Sequence, residues 1–242
     1  MTNIPYQNME IEQVYTQVLN RQGKAIAVCS ANSGEGVTSL ALALAQRNLL
    51  AGHSTLLVDL NLYRPALHNL LPIKPCSELS SLSGNKVLPS PQLVTIDNNP
   101  ITLTGISAPT KREDIIKLRQ PGVLEQCISE WLEDFDTVIF DTSPLNRING
   151  QNIPAERIAS ACDGAILTVL AGQTNETMVT SAVNKLQSNH VDLLGCVFND
   201  YNNPSLKNEL LREVQKLESK CAWLSRYLKR LINNNNFLKL EI

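Results

Sequence analysis

The sequence predicts an α/β fold, a mostly parallel sheet with helices on both faces, built as a single domain. Three observations carry that expectation. Short apolar runs alternate with helix-like stretches along the chain. The runs are continuous instead of alternating apolar and polar, as in strands covered on both faces. The small-residue and acidic motifs fall at the ends of these runs, where ligands of such sheets sit.

Taken in order, Ile11, Val14, Val18 and Leu19 recur at helical spacing and predict a leading helix from about Met9 to Asn20. Ala25 to Ser30 reads as a buried strand that runs through Ala31-Asn32-Ser33-Gly34-Glu35-Gly36 into a helix from Val37 to Leu50. Ser54 to Leu60 repeats the strand, and Arg64-Pro65 opens a short helix where proline is tolerated. The stretch from Pro72 to Pro100 is rich in Ser, Pro and Asn. There Leu93 to Ile96 and Ile101 to Ile106 flank an Asp-Asn-Asn-Pro turn and predict a small β excursion. A helical stretch from Arg112 to Asp134 follows. Thr137 to Phe140, ending in Asp141, then Gly164 to Leu170 and Leu193 to Phe198 supply three more strands. Finally, Leu210, Val214, Leu217, Cys221, Leu224, Leu228 and Leu231 form a heptad-like stripe that predicts one long amphipathic helix. The expected organisation is a leading helix (1–22), an α/β core (23–203) and a C-terminal helix and tail (204–242).

Composition narrows the function classes. A chain of 242 residues, 43% hydrophobic and 18% charged with a net charge of -2, is ordinary for a globular protein and gives no global reason to expect nucleic acid. The six cysteines lack paired spacing, and several sit in apolar runs, so they read as reduced core residues. The first residues carry neither a basic leader nor an apolar stretch, so the cytosol is the expected location. The longest apolar runs fall well short of the ~20 residues a spanning helix needs, so any membrane association is expected to be indirect. His53 and His190 show no spacing to metal ligands, and His68 reads as a helix-surface or packing residue instead of a catalyst.

A phosphate loop needs small residues that let backbone amides converge on anionic oxygens, a helix N-terminus aimed at them, a lysine, and a hydroxyl for magnesium. Gly34-Glu35-Gly36-Val37-Thr38-Ser39 supplies most of this set: Thr38 stands at the hydroxyl position, while Val37 stands at the lysine position. Asp59 and Asp141 each follow an apolar run, so both carboxylates belong at strand ends where magnesium and its waters would lie. The bland alternatives are a tight strand-to-helix turn without ligand and two aspartates that cap local amides. Asn199 at the end of the last strand suits a turn.

With these motifs the chain resembles the bacterial tyrosine kinases of polysaccharide synthesis, the BY-kinases, within the MinD- and ParA-like P-loop ATPases. The family loop reads roughly Gly-Glu-Gly-Lys-Ser/Thr; its second motif reads Asp-x-Asp-x-Arg with a following proline and histidine, and its third Asp-x-x-Pro. Here they are Gly34-Glu35-Gly36-Val37-Thr38, Asp59-Leu60-Asn61-Leu62-Tyr63-Arg64-Pro65 with His68, and Asp141-Thr142-Ser143-Pro144. Gly105 to Pro109 and Cys196 to Asp200 also look like family segments. The resemblance implies ATP or ADP with Mg2+ as ligands, the metal on Thr38 and Asp141, Asp59 as the base toward an acceptor hydroxyl, Gly34 to Ser39 around the nucleotide and Asn199 at its adenine edge. It further implies a membrane-embedded copolymerase or chain-length protein as partner, and homo-oligomers.

The departures are concerted: the family's lysine, second aspartate and arginine correspond to Val37, Asn61 and Tyr63. A C-terminal tyrosine cluster is lacking, and the family's Glu-x-x-Arg-x-x-Arg ring-assembly motif corresponds to Glu12, Tyr15 and Val18. The leading expectation is thus a catalytically degenerate relative acting as a regulatory or interaction subunit. An active kinase or ATPase with another cation in place of lysine is the alternative, and a partition or positioning ATPase a second one. The C-terminal stripe reads first as an internal packing face, although Lys220, Arg226, Lys229 and Arg230 beside Trp223 and Tyr227 also suit a partner helix or an anionic membrane surface.

Overall fold

The computed structural model describes residues 5–19, 24–71, 73–74, 87–95, 102–147, 149–201, 206–216 and 222–234. Its elements are α1 (Met9–Val18), β1 (Ala25–Ser30), α2 (Val37–Leu50), β2 (Thr55–Leu60), α3 (Leu67–Leu70), β3 (Gln92–Thr95), β4 (Thr102–Ile106), α4 (Arg112–Leu118), α5 (Val123–Asp134), β5 (Thr137–Thr142), α6 (Ala155–Ser160), β6 (Gly164–Leu170), α7 (Glu176–Ser188), β7 (Leu193–Asn199), α8 (Leu206–Lys216) and α9 (Ala222–Asn234).

The strands form one sheet in the order β3-β4-β2-β5-β1-β6-β7. Every pairing is parallel except β3 with β4. Period-two alternation divides the apolar side chains between two helical layers. Ile26, Val28, Leu57, Ile139 and Ile166 join α1 and α2 in one core. On the other face, Leu56, Val58, Val138 and Phe140 meet Leu118, Leu124 and Ile128 of α4 and α5, while Ala27, Ala165 and Leu167 meet Ala155, Ala159, Ala182 and Leu186 of α6 and α7. This is the expected doubly covered, mostly parallel sheet.

Helix α2 carries the phosphate-loop sequence at its start and is anchored at its far end. Asn48 is buried and donates through Nδ2 to the hydroxyls of Thr55 (2.9 Å) and Thr137 (3.0 Å), tying the helix to β2 and β5. Helix α1 packs on α2 through Ile11, Tyr15 and Val18. Arg47 of α2 lies over the Tyr15 ring, 4.2 Å from its centroid, and grips Glu12 with a two-pronged contact through Nε and Nη2. Two of the three positions matching the family's ring-assembly motif are therefore buried inside this unit, and the third holds Arg47.

Three elements differ in form from the sequence expectations. The helical stretch after residue 112 is two helices, because Pro121 and Gly122, the latter at φ +86°, break it. The β excursion adds its strands to the edge of the main sheet, with β4 parallel to β2. The C-terminal stripe is carried by two helices, α8 and α9, joined by the Ser225 hydroxyl donating to the Val214 carbonyl (3.2 Å). One long helix would leave its apolar stripe in water, whereas folding back buries part of it. Contacts group the chain into two compact units, Met1–Asn199 and Asp200–Ile242.

Of the described cysteines, Cys29 is buried as expected, and burial pushes its thiol up to about 12, but Cys196 is exposed. Cys76 and Cys221 lie outside the described residues. Removing the Asn48 amide leaves two buried hydroxyls short of a donor. Asn48→Ala is expected to lower unfolding free energy in urea by about 1–3 kcal/mol. A change within ~0.5 kcal/mol, the usual surface-substitution range, would contradict the anchoring role.

Candidate functional site

The phosphate-loop sequence links β1 to α2 at the carboxyl edge of the sheet. Its backbone turns left-handed at Gly34 (φ +88°) and Gly36 (φ +97°), and Gly36 caps the start of α2. The first-turn amides of a helix lack intrahelical acceptors, so the loop presents N–H groups suited to an anion. The two glycines are required for different reasons. Gly34 has open space where a Cβ would go, so only its φ restricts it. At Gly36 a Cβ would lie 2.5 Å from Nδ2 of Asn199, so both backbone angle and space exclude a side chain.

The loop is held from within the fold. Glu35 is 2% exposed, and its carboxylate accepts from the Ala31 amide (2.9 Å) and the Thr174 hydroxyl (2.7 Å). The Thr174 hydroxyl in turn accepts from the Leu170 amide (3.2 Å) at the end of β6. From the end of β7, Asn199 donates through Nδ2 to the Glu35 carbonyl (3.1 Å). Asn199 is thereby engaged with the phosphate loop itself. Sequence reasoning picked out Glu35 as a loop residue but missed the bond partners of its carboxylate. Thr174, in the turn after β6, carried no signal at all.

Position 37 decides the electrostatics. Val37 begins α2 and is 7% exposed; its side chain belongs to the apolar cluster formed by α1, α2 and the sheet. No cation is supplied from this position. Arg64, a candidate substitute, is exposed, with its guanidinium carbon 6.0 Å from the centroid of the Tyr63 ring and its amide donating to the Asn61 side chain (3.2 Å). Ser39 follows in the first turn of α2 and is half-buried.

Asp59 and Asp141 come together across β2 and β5, where they are register partners. Both are fully buried. Asp59 accepts from three backbone amides: Asn61 (2.9 Å), Ala66 (3.2 Å) and Leu67 (3.2 Å). It therefore organises the turn leading into α3, which is the capping role named as the bland alternative. Asp141 accepts from the Thr38 hydroxyl (2.6 Å) and, at 3.4 Å, from Nδ2 of Asn61. Burial, and then the neighbouring Asp59, hold the Asp141 carboxyl well above the usual carboxylate range, against the opposing bonds from Thr38 and Asn61. The Thr38 hydroxyl and Asp141 carboxylate are hard oxygen donors at one point, a pair that fits Mg2+. Binding there would need Asp141 ionised, and the metal's charge would favour that form. The side chain of His68 lies outside what is described, and among the described residues no cluster of His, Cys, Asp and Glu forms another metal site.

The mostly parallel seven-stranded sheet with helices on both faces matches the MinD-like P-loop fold. The septum site-determining protein MinD from Pyrococcus horikoshii, solved as its Mg-ADP complex, shares it with a TM-score of 0.55 at 18% identity, over 75% of this chain and 72% of that one. The chimerical protein CapA2B2 matches with a TM-score of 0.62 at 20% identity, over 78% of this chain and 81% of that one. In sequence, the tyrosine-protein kinase CpsD of Streptococcus agalactiae is 28% identical over 192 residues, covering 77% of this chain and 79% of the relative. No protein-family model matches the chain. In sequence, then, the chain is similar to bacterial tyrosine kinases.

Two outcomes check the site. Gly36→Ala is expected to destabilise the chain by about 1–3 kcal/mol through its left-handed backbone, with further loss from displacing Asn199; a neutral result in urea unfolding would contradict the latch. Because the folded-state affinity of Asp141 for its proton is raised, the chain bears a penalty at neutral pH that vanishes as pH falls below the unfolded value of about 3.9. Asp141→Asn should accordingly raise the thermal midpoint at neutral pH and lose that advantage on acidification. A midpoint that falls at neutral pH would refute the assignment.

Proposed function

We propose that the chain is a catalytically degenerate relative of the bacterial tyrosine kinases, acting as a regulatory or interaction subunit in bacterial capsule or exopolysaccharide production. The observation that carries this reading is the buried Val37 at the position where the phosphate-gripping lysine stands in the family. A charge-assisted hydrogen bond contributes ~1.5–3 kcal/mol, and a cation placed on the transferring phosphoryl group accounts for ~10³ or more in rate. Losing it therefore affects catalysis more than binding. Asn61 and Tyr63 in place of the family's second aspartate and arginine remove two further charges at the same site.

The retained chemistry is consistent with weak, metal-assisted nucleotide binding. Thr38 and Asp141 would hold Mg2+, which would offset phosphate charge, and the loop amides from Gly34 to Ser39 would face the phosphates. Asn199 positions the loop from below. With Asp59 committed to three amides, it is poorly placed to take a proton from an acceptor hydroxyl. The partner that fits the reading is a membrane-embedded copolymerase or chain-length protein, which would bring the chain to the inner face of the membrane. Homo-oligomers built on the family's leading-helix motif are disfavoured, since Tyr15 and Val18 are buried against α2.

The second reading is an active ATP-dependent tyrosine kinase or ATPase. It is favoured by the intact contact of Thr38 with Asp141 and by the names of the sequence relatives. Magnesium-dependent ATP turnover and phosphotyrosine formation by the purified chain discriminate the two. The proposal expects background rates; a rate above background that disappears in Asp59→Ala and Asp141→Ala would establish the second reading instead.

Val37→Lys tests the cradle. Because an ammonium is too costly to leave in the apolar cluster, it must turn toward the loop. Calorimetry is expected to show Mg-ATP affinity rising roughly ten- to a hundredfold. No gain would mean that the loop is not a phosphate cradle in this chain.

A further inference from the structure

The C-terminal unit leaves a surface that the nucleotide-site reading does not use. At 100° per residue, the apolar side chains of α9 cover half its circumference, running from Trp223 through Tyr227 and Leu231 to Leu228 and Ile232. Helix α8 covers only part of that arc: Ser225 and Ile232 are buried in the hairpin, with Val214 opposite. Trp223, Tyr227 and Leu231, at successive four-residue steps, remain 69%, 58% and 51% exposed. Arg226 and Arg230, both exposed, border this strip on its other side, with Lys229 beyond them. No acidic residue occurs anywhere in Ala222–Asn234, whereas α8 mixes both signs.

We propose that α9 docks on an anionic lipid bilayer, lying in the plane of the interface with Trp223, Tyr227 and Leu231 inserted and Arg226 and Arg230 against the headgroups. Charge complementarity selects this occupant. The helix carries three cations and no anion, so a second copy's α9 laid against it would oppose like charges. An anionic surface attracts each basic side chain, and the strip's outer side chains are the two aromatic types that favour the bilayer–water interface. The helix is 13 residues long, and among the described residues no helix is long and apolar enough to cross a membrane, so α9 lies on the surface. This attachment is independent of nucleotide and of any membrane-embedded partner.

The test uses the full-length chain with vesicles of phosphatidylcholine alone and of phosphatidylcholine mixed with phosphatidylglycerol. Co-sedimentation with the anionic vesicles only, weakening as salt is raised, is the expected result. In a Trp131→Phe background, the emission of Trp223 should shift to the blue on those vesicles. Arg226→Gln with Arg230→Gln, and separately Trp223→Ala with Tyr227→Ala, should each lower the partition coefficient roughly tenfold or more, while circular dichroism stays unchanged. Absence of vesicle binding, equal binding to uncharged vesicles, or binding indifferent to both variant pairs overturns the proposal. So does a dimer in sedimentation velocity that Trp223→Ala disperses, because the face would then belong to a second copy.

Discussion

The site depends on the way Glu35 fixes the loop between β1 and α2. One carboxylate oxygen holds the Ala31 amide at the loop's entry, the other holds Thr174 beyond β6, and its carbonyl receives Asn199 from β7. These three contacts tie the loop to the ends of three neighbouring strands. The left-handed turns at Gly34 and Gly36 are thus maintained by protein groups. A loop built in this way keeps its shape whether or not phosphate is present. The turns of the loop thus need no cation at position 37, where Val37 packs into the apolar cluster.

The same logic extends to the two aspartates. Asp59 accepts from three backbone amides in the turn before α3, a structural task that does not depend on catalysis. Asp141 is different. It is buried beside another carboxylate, and only the Thr38 hydroxyl and the more distant Asn61 amide offset that placement. Asn61 brings an amide, not a third carboxylate, to this point in the core. A neutral side chain there adds no further repulsion and leaves an oxygen pair able to meet a divalent cation.

Much of the fold was legible because the buried strands are uninterrupted apolar runs and the loop between β1 and α2 is dense in glycine. Ala25–Ser30, Thr137–Thr142 and Gly164–Leu170 are covered on both faces and read clearly. Tertiary partners, in contrast, leave no local signature. Thr174 gave no hint that it meets Glu35, and Asn199 read as an adenine contact or a turn former, not as the donor to the Glu35 carbonyl. The C-terminal stripe was visible, yet its fold-back into α8 and α9 depends on what the stripe can bury. Likewise Pro121 and Gly122 divided a pattern that periodicity alone had joined.

The central claim is that this phosphate loop is preassembled by the protein and little altered by nucleotide. Amide hydrogen exchange of residues 31–39, with and without Mg-ATP, addresses it directly. The account predicts that the Ala31 amide, held by Glu35, is protected in the nucleotide-free chain and that its protection barely changes when Mg-ATP is added. A loop that exchanges freely on its own and becomes protected only with nucleotide would contradict it.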